Sequence, residues 1–137
     1  MTAKGWEEEE KRRVMSLVRV VPKAIEKKNI EKIFEIYDTH DPRFSTFEDT
    51  PAFLGLMDGP KFRIFVKNLR KLESSSIHRK EIRVVFAARS VAIVTGMDDW
   101  RSRQNGKETK GISRFTIVLR KKKKEWKIIH EHFTKVA

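Results

Sequence analysis

The chain has 137 residues, no cysteine, and 31 Lys+Arg against 19 Asp+Glu, a formal net charge of +12. That length suits a single domain with one core, and without cysteine no disulfide can staple it. No apolar run approaches the ~20 residues that span a bilayer, and the opening MTAKGWEEEEKRR lacks the basic-then-apolar order of a secretory signal, so a cytoplasmic protein without a membrane segment is expected.

Val14, Leu17, Val18, Val21 and Ile25 recur at helical spacing and predict a first helix over about 7–28. Glu7 to Glu10 would lie at its start, where the helix dipole favours acids, and Pro22 should kink or break it. Asn29 can cap a second helix, with Ile30, Ile33, Phe34 and Tyr37 inward and DTHDP (Asp38 to Pro42) ending it. A short strand is expected at Arg43 to Glu48 and an apolar loop at Asp49 to Met57. Asp58-Gly59-Pro60 opens a third helix, which buries Phe62, Phe65, Val66, Leu69 and Leu72. Ser74 to Ser76 reads as a loop.

From Ile77 the period changes to two. Ile82, Val84 and Phe86 alternate in one strand, and 91–103 forms the next. Asn105-Gly106 is the strongest short hairpin signal available. Strands follow at Gly111 to Arg120 and Glu125 to Val136, joined by a turn at Lys121 to Lys124. Helices first and then an antiparallel meander predict an α+β domain, its helices on one face of a curved sheet.

This order resembles the SnoaL-like branch of the nuclear transport factor two-like (ketosteroid isomerase-like) superfamily. The carrying residues are EIYDTHDPRFSTF (Glu35 to Phe47), DGP (Asp58 to Pro60), VAIVTG (Val91 to Gly96), SRFTIVLR (Ser113 to Arg120) and EWKIIHEHFT (Glu125 to Thr134). The resemblance covers nearly the whole chain and implies one SnoaL-like domain over 1–137. It implies a cone-shaped, curved antiparallel sheet wrapped around three N-terminal helices, a cystatin-like roll with a pocket at its open end. It also implies a homodimer through the convex sheet face. Isomerases, dehydratases, cyclases, hydrolases, kinase association domains and simple binding modules all occur in this superfamily, so the fold does not choose a chemistry.

In the last strand Trp126, Ile128, His130, His132 and Thr134 share one face, the face expected to look into the cone. His130 and His132 are then candidate acid–base groups, or structural groups satisfied by hydrogen bonds. As metal ligands they would need a third donor such as Asp38, His40, Asp41 or Asp49, so no metal is expected. Arg114 can clamp an anion or pair with Glu108, Glu131 or Asp99. Trp100, beside Asp98 and Asp99, can cover the pocket mouth or fill a dimer seam; an aspartate pair there is a base if desolvated and otherwise solvated. Steroid-isomerase relatives use a tyrosine with carboxylates. The only tyrosine is Tyr37, which with Asp38 can reach the cavity, but the catalytic set is not complete. Phe44, Phe47, Phe53, Leu54, Leu56, Met57 and Phe62 are too many apolar residues for an exposed loop, so some wall the cavity or core.

The net charge fits a nucleic-acid partner less well than a heat-adapted, ion-paired surface. The KKKK run falls where a hairpin must turn, and only Trp126 lies near it to stack a base. Two classes of function therefore stand. The first is a cofactor-free isomerase, dehydratase or hydrolase, or a binding protein, for a small, partly apolar molecule, anionic where Arg114 clamps it, using His130, His132 and Asp38 for acid–base work and Tyr37, Phe44, Phe47, Trp100, Arg114 and Trp126 for contact. The second is a non-enzymatic dimeric module that binds a protein or nucleic acid through its basic surface.

Overall fold

The structure, a computed structural model, describes residues 3–50 and 53–137. The N-terminal apolar stripe folds as α1 (Ala3–Glu26), with Val14, Val18 and Val21 buried. The helix begins earlier than expected, so Glu7 to Glu10 fall beyond its first turn, and it continues through Pro22. Proline has no N–H to give the carbonyl of Val18, one helical turn back. That carbonyl is taken instead by Arg79, whose Nη1 donates to it at 3.0 Å. A helix defect and a buried cation thus satisfy each other.

Asn29 caps α2 (Ile30–Ile36), its side chain accepting from Lys32 N at 3.2 Å. Asp58 does the same for α3 (Gly59–Asn68), accepting from Lys61 N at 3.0 Å, and a single 3₁₀ turn (Leu69–Lys71) follows. The short strand expected at Arg43 to Glu48 is β1 (Ser45–Thr50), and the segment expected as an apolar loop instead ends β1 and supplies β2 (Phe53–Met57), paired antiparallel with it; the side chain of Phe53 lies outside the described residues. Four long strands complete the chain: β3 (Ser74–Ala88), which absorbs the expected serine loop, β4 (Val91–Gln104), β5 (Lys107–Lys122) and β6 (Glu125–Lys135).

The sheet order is β2-β1-β6-β5-β4-β3. All neighbours are antiparallel except β1 and β6, which pair in parallel, Ser45 opposite His130 and Phe47 opposite His132. Asn105 and Gly106 turn with φ of 53° and 74°, and Lys123 and Lys124 with 51° and 69°. Two successive positive φ values match the right-handed twist of a tight hairpin, so the lysine run turns at Lys123 and Lys124 alone, while Lys121 and Lys122, expected in the turn, end β5.

Register shifts at Lys80/Arg83 and Phe86/Ala88 in β3, and between Val118 and Leu119 where β5 meets β6, bend the ladder. The sheet is accordingly curved and unclosed. Its concave side packs Val94, Ile117, Leu119 and Ile128 against Val14, Val18, Ile33, Phe62 and Val66 of the helices. No helix of the described residues is long and apolar enough to cross a membrane.

Candidate functional site

The concave side does not close over completely. Between α1, α2, α3 and the far ends of β3 to β6 lies a cavity of about 360 Å³. Phe62, Phe65, Val66, Leu69 and Leu72 make much of its wall, and Trp100, Arg101, Ser102 and Lys107 stand toward the β4–β5 hairpin at its mouth. Trp100 is held there by its Nε1, which donates to Ser113 Oγ at 2.9 Å.

At its inner end the polar lining consists of buried groups from five different elements. Tyr37, at the end of α2, donates its hydroxyl to Glu131 Oε1 at 2.5 Å. Glu48 of β1 is hydrogen-bonded to Glu131 through its carboxyl, while its Oε1 has no partner among the described residues. Glu48 and Glu131 are each only 4 % exposed. Burial first, and then the charge and hydrogen bond of Glu131, push the Glu48 carboxyl well above the usual carboxylate range. Two carboxyl groups this close and this dry resist ionising together, and the upward shift falls on Glu48. Burial and the same neighbour push the Tyr37 hydroxyl up as well, and it stays a hydrogen-bond donor.

Beside this pair lies a buried ion pair. Arg79 of β3 reaches Asp98 of β4 with two parallel bonds, Nε to Oδ1 at 2.8 Å and Nη2 to Oδ2 at 2.9 Å. The Val18 carbonyl takes a third guanidinium N–H, and the plane lies over the Phe115 ring, 4.5 Å from its centroid. Gly96 makes room for that ring: a Cβ there would come within 2.5 Å of Phe115 Cζ. Arg79 and Asp98 therefore neutralise each other in fixed geometry, and the carboxyl pair supplies the net charge of the cavity's polar end.

The expected site residues divide between the two faces of the sheet. Tyr37 and Trp100 line the cavity. Phe44 and Trp126 are buried behind it: Phe44 packs on Phe62 with centroids 5.2 Å apart, and Trp126 Nε1 donates to Glu10 Oε2 at 2.7 Å at the closed end. Asp38 is half-buried beside β6, its N–H donating to Ile128 O at 2.9 Å, and does not line the cavity. His130, His132, Phe47 and Arg114 lie on the outer face. There His130 Nδ1 is 2.9 Å from Ser45 Oγ, and His132 packs on Phe47 with centroids 5.2 Å apart.

The reason is one residue. Val118 pairs with His130 but Leu119 with Ile128, so Ile129 is an extra residue in β6. A bulge of this kind reverses the facing of everything beyond it. Trp126 and Ile128 point inward, and after the bulge Glu131 and Phe133 do so in place of His130 and His132. In β5 the inward set is Ser113, Phe115, Ile117 and Leu119, all buried, so Arg114 faces out. Among the described residues no three His, Asp or Glu side chains converge as a metal site. Glu48, Arg79 and Glu131 were not expected as a site. Glu48 sits beside Asp49, Glu131 between two histidines, and Arg79 in the charged run HRKEIR, patterns that normally mark solvent.

A model of the SnoaL-like domain matches residues 14–137. The chain belongs to the SnoaL-like family. Solved structures agree on the fold of this SnoaL-like domain. A candidate scytalone dehydratase from Novosphingobium aromaticivorans superposes with a TM-score of 0.82 at 13% identity, over 98% of this chain and 89% of that one. A nuclear transport factor 2-like superfamily protein from Salmonella enterica gives 0.77 at 14%, over 99% and 94%. The association domain of the C. elegans kinase CaMKII gives 0.70 at 19%, over 93% and 97%. No curated protein sequence matches the chain.

Proposed function

We propose that the cavity binds a small, largely apolar molecule and that Glu131, Glu48 and Tyr37 move a proton on it without a cofactor. The observation that carries this reading is a buried carboxyl pair, Glu48 and Glu131, with Tyr37 donating to Glu131, at the polar end of a largely apolar cavity. Such a pair contains an acid and a base side by side at neutral pH. In a dehydration, Glu131 takes a proton from carbon as the carbon–carbon double bond forms. Glu48 protonates the departing hydroxyl, which leaves as water. The proton now on Glu131 returns to Glu48 across the hydrogen bond that joins them, and the site is reset. In an isomerisation the proton goes back to a different carbon. Tyr37 steadies the charge on Glu131 throughout. Relatives named as dehydratases fit this class of reaction.

The test is native mass spectrometry of protein purified from cells, then incubated in deuterium oxide. The wild type should retain a small organic mass that gains deuterium at carbon. Glu131→Gln should retain it without gain, and His130→Ala and His132→Ala should behave as wild type. Gain in Glu131→Gln, or loss of the mass in the histidine variants, contradicts the assignment.

A second reading concerns the outer face. Leu54, Leu56 and Phe47 are 74%, 57% and 43% exposed, which is much apolar surface for one sheet edge. We propose that this face, with His132 and Arg114 on it, joins two copies in a homodimer. Sedimentation should show a dimer that Leu56→Glu converts to monomer.

A further inference from the structure

The charge of the cavity's polar end restricts what enters it, if the cavity is the binding site proposed above. Among the described residues Arg79 is the one cation in that end; Asp98 occupies two of its five N–H groups at 2.8 and 2.9 Å and Val18 O a third. Its charge is already balanced by Asp98. Tyr37 already donates to Glu131. Besides the two remaining Arg79 N–H groups, what stays open is acceptor capacity: Glu48 Oε1, buried and without a partner among the described residues, next to the Glu131 carboxyl. An anion placed there would meet uncompensated negative charge in a medium that screens poorly. A hydroxyl or ammonium group would instead supply the missing hydrogen bond. The positive residues at the mouth, Arg101 and Lys107, are exposed, and Arg101 already faces Glu108 at 3.4 Å.

We infer that the polar end selects against anions, and that the ligand is an uncharged or cationic, mostly apolar molecule whose polar group is a hydrogen-bond donor. The anion clamp expected of Arg114 has no counterpart inside the cone, because Arg114 faces outward.

Three probes of one shape test this: 2-naphthylmethanol, 2-naphthylmethylamine and 2-naphthoate, titrated calorimetrically at neutral pH into wild type and Glu131→Gln. The alcohol and the amine should bind wild type at least about tenfold more tightly than the carboxylate, equivalent to 1.4 kcal/mol. The gap should narrow in Glu131→Gln, whose folding circular dichroism reports. Should that variant not fold, titration in two buffers of different ionisation enthalpy serves instead: the carboxylate should take up a proton on entry, and the alcohol none. A carboxylate that binds as tightly as the alcohol, or enters without proton uptake, overturns the inference while leaving the cavity as the binding site. If none of the three probes binds, the cavity proposal itself falls, and this inference with it.

Discussion

Replacing Glu48 by Gln keeps the shape of the side chain and its hydrogen bond to Glu131 but removes its titration. In the folded protein Glu48 holds its proton well above the usual carboxylate range; in the unfolded chain it releases it near 4.5. A folded-state value that is raised stabilises fully below the unfolded value, and the contribution is lost as pH rises toward the folded value. Over that window the native state binds one more proton than the unfolded state. Stability then falls by about 1.4 kcal/mol per pH unit from this group alone. With a urea dependence of about 2 kcal/mol per molar, each pH unit between the two values moves the unfolding midpoint by about 0.7 M. Other groups titrate in both proteins, so the comparison is a double difference: wild type minus Glu48→Gln, at pH 5.5 and at pH 7.0. The expected result is a variant that gains stability on wild type across the interval, at up to about 1.4 kcal/mol per pH unit. Parallel pH dependences would mean that Glu48 ionises normally, and the shared proton on which the site rests would not exist.

Asp98→Asn should cost about 3–5 kcal/mol in chemical denaturation, because it leaves Arg79 buried without its counter-charge, while the double variant Arg79→Met/Asp98→Leu should cost less than either single change. Asp41 is held down to about 2 by hydrogen bonds from Arg43 and by Arg120, so its stabilisation is present above pH 3.8 and lost as pH falls toward 2. Wild type should therefore lose up to about 2 kcal/mol over that range in acid denaturation, and Asp41→Asn should lack this component. Glu10 accepts from both Lys121 and Trp126 and ties α1 to the β5–β6 hairpin. Glu10→Ala should lower stability by about 1–3 kcal/mol by stranding the buried indole N–H, read as the midpoint of thermal unfolding.

Much of the architecture was legible in the sequence because it is written in local chemistry. Asn29 and Asp58 cap helices with side chains that reach only three residues ahead, and Asn105-Gly106 turns a hairpin that few other pairs allow. The site was less legible because its polar groups are brought together by register. The stretch IIHEHF carries apolar and polar residues in both phases of a strand, so nothing in it announces the extra residue at Ile129. In ISRFTIVLR the alternation itself favours the observed facing, with Phe115, Ile117 and Leu119 in one phase and Arg114, Thr116 and Arg120 in the other, so Arg114 was legible as outward. Pro22 was visible as a disturbance of α1, but its consequence, a free carbonyl that holds Arg79 from 61 residues away, depends on the packed tertiary structure. Buried acids such as Glu48 and Glu131 are similarly hidden, since a glutamate in a strand normally faces water.

The shared proton can be observed directly by ¹³C NMR of glutamate labelled at its side-chain carboxyl, followed from pH 4 to pH 9. The account predicts one carboxyl carbon with the shift of a protonated acid at pH 7, absent from Glu48→Gln and displaced in Glu131→Gln. Glutamates that are all ionised by pH 6 would contradict it, and the cavity would lose its acid.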